Sequence, residues 1–470
     1  MLDHSCSPRF DRNLAIAAMF ALSSACGGGG SSAPTSAPPP APGTELRVTV
    51  VDPLGDPVQG LDVNLPSVSS TFTPRTNADG QVVFRASFQS DVTVAAWGDS
   101  DRIGVVSGSA VVTPHTDEVT VTVNPASQAG FAIASAGVDP PLISADGRTL
   151  EFSLGFLPAD RYDEVAWDEY VSVRVQDCAS TQALQCVTGA TTGTGYRASD
   201  GSANPQAGAP LAVSTLQRQS RPYAVALLID QSTRMAERDP TDIRVFATKY
   251  FMAFGGPADS LLFGAFATGA ATTDPARLPQ TPLSLFPIEN PAFGAFDHAL
   301  FATADELPVL EGGAAPLYAA IDRALDFTAD RAPMQTPRAI VVLSSGDDAA
   351  CTPDDAGCRD TRVALIAKAR AYDVALVTLG VRGQADRALT ALSLAGGITA
   401  TGSPNEFGVL LRLACEWLGG SAGIGVARFR IEADTPGTFA SGRAVNGDVR
   451  VSVCPWDCYE ATVPFAVELP

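Results

Sequence analysis

Two hydrophobic rhythms divide the chain. Up to about residue 124, and again beyond residue 423, apolar and polar residues alternate, the pattern of strands with one wet face. ELRVTVVD, QVVFRASF, DVTVAAWG, VVSGSAVVT and EVTVTVNP follow one another at short spacing, with an Asn-Ala-Asp-Gly turn before Gln81. Short strands separated by turns predict a β-sandwich over residues 45–124. TLEFSLGFL and EYVSVRVQDC predict strands within a β-rich segment, 125–220, which also holds a long polar, glycine-rich loop. IGVARFRIEA, GDVRVSVCP and YEATVPFAVEL predict strands in 421–470. One arrangement these flanks allow is a single β domain, 125–220 completed by 421–470, into which the middle is inserted.

Between residues 221 and 420 the rhythm changes. YAVALLID, DSLLFGAF, RAIVVLSS and DVALVTLG are continuous apolar runs, as expected of strands covered on both faces. Helical patterns separate them. Ile243, Ala247, Tyr250, Phe251 and Phe254 form one stripe, and Leu317, Ile321 and Leu325 another. TRVALIAKARAYD and NEFGVLLRLACEWL follow. Strands alternating with helices predict a doubly wound, Rossmann-like α/β domain, whose ligands bind at the carboxyl ends of the strands where strand order reverses. The chain is therefore read as multidomain: β-sandwich modules plus one α/β domain.

The order and spacing of ALLIDQSTRM, DSLLFGAFAT, GGAAPLYAAIDRAL, VVLSSGDD and ALVTLGV resemble a von Willebrand factor type A domain over 221–420. Members of that family hold Mg²⁺ or Mn²⁺ at a metal-ion-dependent adhesion site. Its pattern is D-x-S-x-S, then a threonine before a Pro-Leu-Tyr-like helix start, then an aspartate in a TDG-like turn. Mg²⁺ needs six hard oxygen ligands in a near-ideal octahedron, and hydroxyls and carboxylates from three loops meet that need. Asp230 and Ser232 match the pattern. Arg234 stands for the second serine, Ala315 for the threonine and Ser345 for the aspartate. The resemblance thus implies a degenerate site with no obligatory cofactor; any ion would be Mg²⁺ or Mn²⁺ on Asp230 and Ser232, with Asp347 and Asp348 nearby. For Arg234 two readings stand side by side: a built-in cation turned toward the carboxylates, or an ordinary exposed loop arginine. Arg234, Ala315, Ser345, Asp347 and Asp348 mark the loops expected to meet a protein partner. The acidic stretch DDAACTPDDAGC reads as a solvated loop on the same rim. Residues 45–124 resemble a carboxypeptidase-regulatory-like or bacterial Ig-like repeat, through VTVVDPLGDPVQGLDVNL and the later TNADGQVVF. That resemblance implies a spacer or binding module.

The N-terminus reads as a targeting segment. Arg9 and Arg12 precede an apolar run from Leu14 to Leu22 that is too short for a permanent span. SSAC, ending at Cys26, resembles the lipobox of bacterial lipoproteins, with Ser23 in place of the favoured leucine. The resemblance implies a signal peptide over 1–25, lipidation of Cys26 and membrane attachment through that anchor. Gly27 implies the outer membrane, facing the periplasm or the cell surface. Residues 26–44, rich in Gly, Ser and Pro, form a tether. The alternative is a cleaved signal peptide and a free secreted protein.

Composition narrows the function. A net charge of −20 argues against nucleic acid and anionic lipid surfaces as direct partners. Six of the nine cysteines form close pairs: Cys178 with Cys186, Cys351 with Cys358, Cys454 with Cys458. An oxidising compartment would join each pair as a disulfide. The zinc alternative needs four Cys or His ligands in paired motifs, and His4, His115 and His298 lie beside no cysteine pair. Cys415, on the apolar side of its helix, reads as a buried thiol. No G-x-S-x-G, H-E-x-x-H, phosphate loop or glycine-rich dinucleotide turn is present, so an enzyme is not expected. Three roles remain: a lipid-anchored binding protein using the loops around Ser232, Ala315 and Asp347; a periplasmic scaffold whose sandwiches make the contacts; and a metal-dependent adhesin.

Overall fold

The computed structural model describes residues 45–469 apart from 67–72, 86–87, 115, 127–130, 138–139, 161–170, 176–185, 188–195, 199–211, 218–221, 254, 256–257, 270–293, 296–298, 334–335, 347, 351, 353–354, 382–388, 420–422, 434, 443 and 454–458. The signal peptide, Cys26, the tether, Asp347, Cys178, Cys351, Cys454, Cys458, His115 and His298 lie outside the described residues.

The first module holds β1 (Glu45–Val51), β2 (Asp62–Asn64), β3 (Gln81–Arg85), β4 (Val92–Ser100), β5 (Gly104–Val112), β6 (Glu118–Thr122) and β7 (Asn124–Pro125). They form two sheets, ordered β3-β1-β6 and β2-β4-β5-β7. Alternation does the work: Leu46, Val48 and Val50 of β1 are buried while Glu45 and Arg47 between them are exposed. Residues of both sheets, among them Phe84, Val94 and Val106, share one core with Val48 and Val121.

β8 (Phe131–Gly137), β9 (Leu142–Ile143), β10 (Thr149–Asp160), β11 (Val171–Val175), β12 (Cys186–Val187), β13 (Tyr196–Ala198) and β14 (Ala212–Gln217) precede the α/β domain. That domain contains β15 (Ala224–Asp230), α1 (Thr233–Arg238), α2 (Ile243–Ala253), β16 (Ser260–Phe266), β17 (Gly294–Ala295), α3 (Ala299–Ala304), α4 (Leu317–Arg331), β18 (Arg338–Ser344), α5 (Ala356–Ala371), β19 (Val374–Val381), β20 (Ile398–Gly402) and α6 (Phe407–Gly419). After it come β21 (Gly423–Ala433), β22 (Ala444–Val453) and β23 (Tyr459–Glu468). Among the described residues no helix is long and apolar enough to cross a membrane.

In the α/β domain the strands run β20-β19-β18-β15-β16-β17, parallel except for β17. Every residue of β15 is buried because both faces are covered. Val225, Leu227 and Ile229 pack with α2 and α6, whereas Ala226 and Leu228 pack with α4 and α5. From β15 the chain goes one way to β16 and later returns to the other side for β18. The order therefore reverses between β15 and β18, and their carboxyl ends form the crevice where a ligand or partner would sit.

The sheet does not stop at β20. β8 pairs antiparallel with β20, β10 pairs with β8 and also with β21, and β14 and β13 pair with β21. Strands from before and after the α/β domain thus interleave. A third sheet does the same, with β11 beside β22 and β22 beside β23.

Both helical layers of the α/β domain carry a β module. Phe246 and Tyr250 of α2 belong to the first module's apolar core. Close backbone approach completes that junction. A Cβ on Gly104 (φ +76°) would fall 2.2 Å from the Asn405 carbonyl oxygen, and one on Gly408 would fall 2.7 Å from Pro125 Cβ. Asn405 Nδ2 also donates to Asp99 across it at 2.7 Å. The first module therefore packs directly against the α/β domain. On the other layer, Arg362 of α5 donates from Nε and Nη2 to Glu468 of β23 at 2.9 and 2.7 Å. Helix α6 lies between the sheet and the first module and is buried from Phe407 to Leu418. Its Cys415 is a buried free thiol.

Candidate functional site

The crevice between β15 and β18 is built around Asp230. It ends β15 with its side chain wholly buried. Its carboxylate accepts four hydrogen bonds: Ser232 N at 2.8 Å on Oδ1, and Ser344 Oγ at 3.0 Å, Ser345 N at 3.0 Å and Ser345 Oγ at 2.9 Å on Oδ2. All four donors are uncharged. Ser232 is the N-cap of α1, and its Oγ accepts from Met235 N at 3.3 Å. A serine suits that position because its oxygen meets one of the amides that a helix start leaves open.

Two further loops close on this one. Gly312 N donates to the Gln231 carbonyl and Thr233 N to the Gly313 carbonyl, each at 2.9 Å. Gly313 has φ +70°, and a Cβ there would fall 2.5 Å from Thr268 Oγ1. Only glycine suits so close an approach in that conformation. Ala349 N donates to the Ala315 carbonyl at 2.7 Å. Asp348 accepts from Tyr318 N at 2.9 Å, so it supplies the carboxylate at the first turn of α4, where Pro316 offers no side-chain cap.

The alternatives for Arg234 are decided by its position. It is 50% exposed, on the outer side of α1, with Nη1 3.6 Å from Glu237. Among the described residues Asp230 has no cationic partner. The place opposite its carboxylate is taken by the hydroxyl and amide of Ser345 and by the hydroxyl of Ser344, a residue sequence reasoning missed. Two expected contact residues need correction. Ala315 and Ser345 are buried, so neither offers surface to a partner. Ala315 packs beneath the start of α4, and Ser345 points inward to Asp230. Among the described residues the accessible rim includes Thr233, Arg234, Gly313, Ala314, Ala349 and Ala350, with Asp348 half-buried beside them.

No family model matches the chain, and no curated protein does. Solved structures do. The chain is similar to the SpRpn10 VWA domain, at 16% identity over 41% of this chain and 94% of that one, TM-score 0.27. It is similar to proximal thread matrix protein 1 from the mussel byssus with a zinc-occupied MIDAS motif, at 13% identity over 48% of this chain and 50% of that one, TM-score 0.29. It is also similar to the human COPII-coat protein Sec24c, at 10% identity over 76% of this chain and 64% of that one, TM-score 0.31.

Among the described residues, which do not include Asp347, the donor set does not fit a hard divalent cation. Four donors occupy the Asp230 carboxylate, Ser232 Oγ faces an amide of its own helix, and Ala315 has no side-chain oxygen. Among the described residues no group of three or more His, Cys, Asp or Glu is placed to hold a metal. Cys358 is disulfide-bonded, to a partner outside the described residues.

A buried charge cluster lies beside this loop. Arg244 of α2 is wholly buried. Its Nη1 donates to Asp239 Oδ2 at 2.9 Å and to the Asp239 carbonyl at 3.1 Å. Its Nη2 lies 3.0 Å from Asp242 and donates to Glu311. Asp239 also caps α2 by accepting from Ile243 N and Arg244 N. The detectable signal was the aspartate four residues ahead of an apolar helical stripe.

Three buried carboxyls have raised pKa values, each chiefly because burial disfavours the charge: Asp239, Glu416 and Glu468, opposed by Arg244, Arg412 and Arg362 respectively. A carboxyl whose folded pKa exceeds its unfolded value contributes stability that is full below the unfolded value and lost as pH rises through the folded one. The window for these groups therefore opens at the ordinary 3.8 to 4.5 and extends upward. Unfolding midpoints followed by circular dichroism are expected to rise as pH falls from 7 toward 5, and Glu416→Gln to flatten that rise. A rise of the same slope in the variant counts against the assignment.

Proposed function

We propose that this chain is a lipid-anchored, non-enzymatic binding protein. Its α/β domain is of the von Willebrand A kind and docks a protein partner with the loops at the carboxyl ends of β15 and β18, without obligatory metal. Cys26 carries the anchor, at the outer membrane. One observation supports the reading: the exposed residues Thr233, Arg234, Gly313, Ala314, Ala349 and Ala350 gather in one edge at the carboxyl ends of β15 and β18, where strand order reverses. The first module serves as a β-sandwich that fixes this edge relative to the tether.

The test is capture of a partner from envelope extracts by the tethered protein, followed by binding measurements with the purified partner. Arg234→Ala with Asp348→Ala is expected to weaken binding by about ten-fold, since paired rim charges contribute modestly. EDTA is expected to change nothing. Loss of binding in EDTA would instead make the chain a metal-dependent adhesin. A second reading, a periplasmic scaffold using its β modules, is favoured by Trp97 and Val111, which are 40% and 55% exposed on the outer face of the β4–β5 hairpin. If Trp97→Ala abolishes binding and the rim pair has no effect, that reading replaces the first.

A further inference from the structure

The loops that meet around Asp230 are joined to one another by bonds between protein groups. We propose that Arg244 is the resident cation of this edge: a positioning residue that cross-links the β15–α2 loop to the segment before α4 and keeps the docking edge assembled whether or not divalent ions are present. The inference deepens the reading of the site given above, and rests on it only for what the edge is used for.

Four observations carry it. Arg244 is wholly buried, and its guanidinium reaches carboxylates from two separate parts of the chain: Asp239 and Asp242 from the turn between α1 and α2, and Glu311 from the segment that leads into α4. A planar guanidinium with several fixed donors suits such bridging. The turn it gathers is a strained one. Asp242 has φ 57°, the left-handed region that a non-glycine residue occupies only when its surroundings hold it there. Glu311 directly precedes Gly312 and Gly313, whose N–H and carbonyl pair with Gln231 and Thr233 on either side of Ser232. The ion pair therefore anchors the segment at the point where it meets the Asp230 loop. Finally, the third loop is joined to Asp230 by hydroxyls and an amide, from Ser344 and Ser345, and to α4 by Tyr318 N, which donates to Asp348.

Hydrogen–deuterium exchange on the full chain separates this from a metal-held edge, and partner binding plays no part in it. In the native protein, peptides covering 232–242 and 311–316 are expected to exchange equally in EDTA and in millimolar MgCl₂ or MnCl₂. Glu311→Gln retains shape and polarity but removes one charge from the bridge. It is expected to speed exchange in both peptides by about ten-fold, the scale of one charge-assisted hydrogen bond, while residues 348–350 stay unchanged. Arg244→Met is expected to have the larger effect on the same two peptides; if it fails to fold, Glu311→Gln decides alone. Slower exchange of the native loops on adding Mg²⁺ overturns the proposal, as does a Glu311→Gln variant in which either peptide exchanges at the native rate. Failure of the rim variants to alter partner binding, with the exchange results as expected, removes the docking role and leaves the Arg244 bridge standing.

Discussion

Ser345→Asp is expected to make this protein's stability depend on magnesium. In the native chain Ser345 Oγ donates to Asp230 Oδ2 at 2.9 Å in a place without solvent. Aspartate at that position exchanges a donor for a second carboxylate and sets two negative charges face to face. Like charges about 4 Å apart repel by roughly 4 kcal/mol at the effective dielectric of a protein site, so the unfolding midpoint in EDTA should fall sharply. A divalent ion placed between the carboxylates relieves that repulsion and adds the linkage stabilisation of a bound ligand, about 2.7 kcal/mol at a hundred times its dissociation constant. Differential scanning fluorimetry with EDTA and with MgCl₂ is expected to separate the variant's two midpoints widely, while the native midpoints coincide. Adding Ala315→Thr, at a buried position before α4, adds a hydroxyl beside the crevice and should lower the magnesium concentration required. Equal midpoints for Ser345→Asp in EDTA and in magnesium would show that the crevice is not a closed ion site at all.

This prediction depends on what the sequence made plain and on what it did not. The strands β15, β16, β18 and β19 were readable because a strand covered on both faces must be apolar throughout, and Ala224–Asp230 is. Helices α2, α4, α5 and α6 were readable from their stripes. Two strands that extend the sheet were not. β20 is Ile-Thr-Ala-Thr-Gly and β8 is Phe-Ala-Ile-Ala-Ser-Ala-Gly, short stretches of small residues whose strand character comes from the neighbour each pairs with. The departures from the ion-site pattern were legible at Arg234, Ala315 and Ser345, but the Arg244 cluster was not. Arginine in the middle of the loop attracted attention because it stood in the motif, yet it faces solvent. The arginine that is buried, Arg244, lies in the apolar stripe of α2, 67 residues from Glu311, and no local pattern joins residues so far apart. A longer separation, 277 and 279 residues, hides the pairing of β10 with β21, where Glu151 meets Arg428 and Arg430.

Removing Arg362 tests the other seam, where the chain's last strand meets the α/β domain. Arg362 and Glu468 are both nearly wholly buried, and Arg362 Nη1 also donates to Tyr318 OH at 3.2 Å. Burial raises the pKa of Glu468, against the pull of Arg362, and its second oxygen, Oε2, has no hydrogen-bond partner. The pair is thus a costly one to break. Arg362→Met leaves a buried carboxylate alone and is expected to cost about 3–5 kcal/mol, whereas Arg362→Met with Glu468→Leu should recover most of that loss, because an apolar pair of similar volume carries no desolvation penalty. Urea unfolding of the two variants, with exchange measured over 459–469, reads both effects. The consequence reaches the working edge through Tyr318, whose ring oxygen receives Arg362 while its amide serves Asp348. If Arg362→Met speeds exchange in 459–469 and in the segment at Tyr318 together, the C-terminal strand and the rim form one cooperative unit. If 459–469 loosens while the rim holds, the strand is a local cover and the edge is supported by the Asp230 bonds and the Arg244 bridge alone.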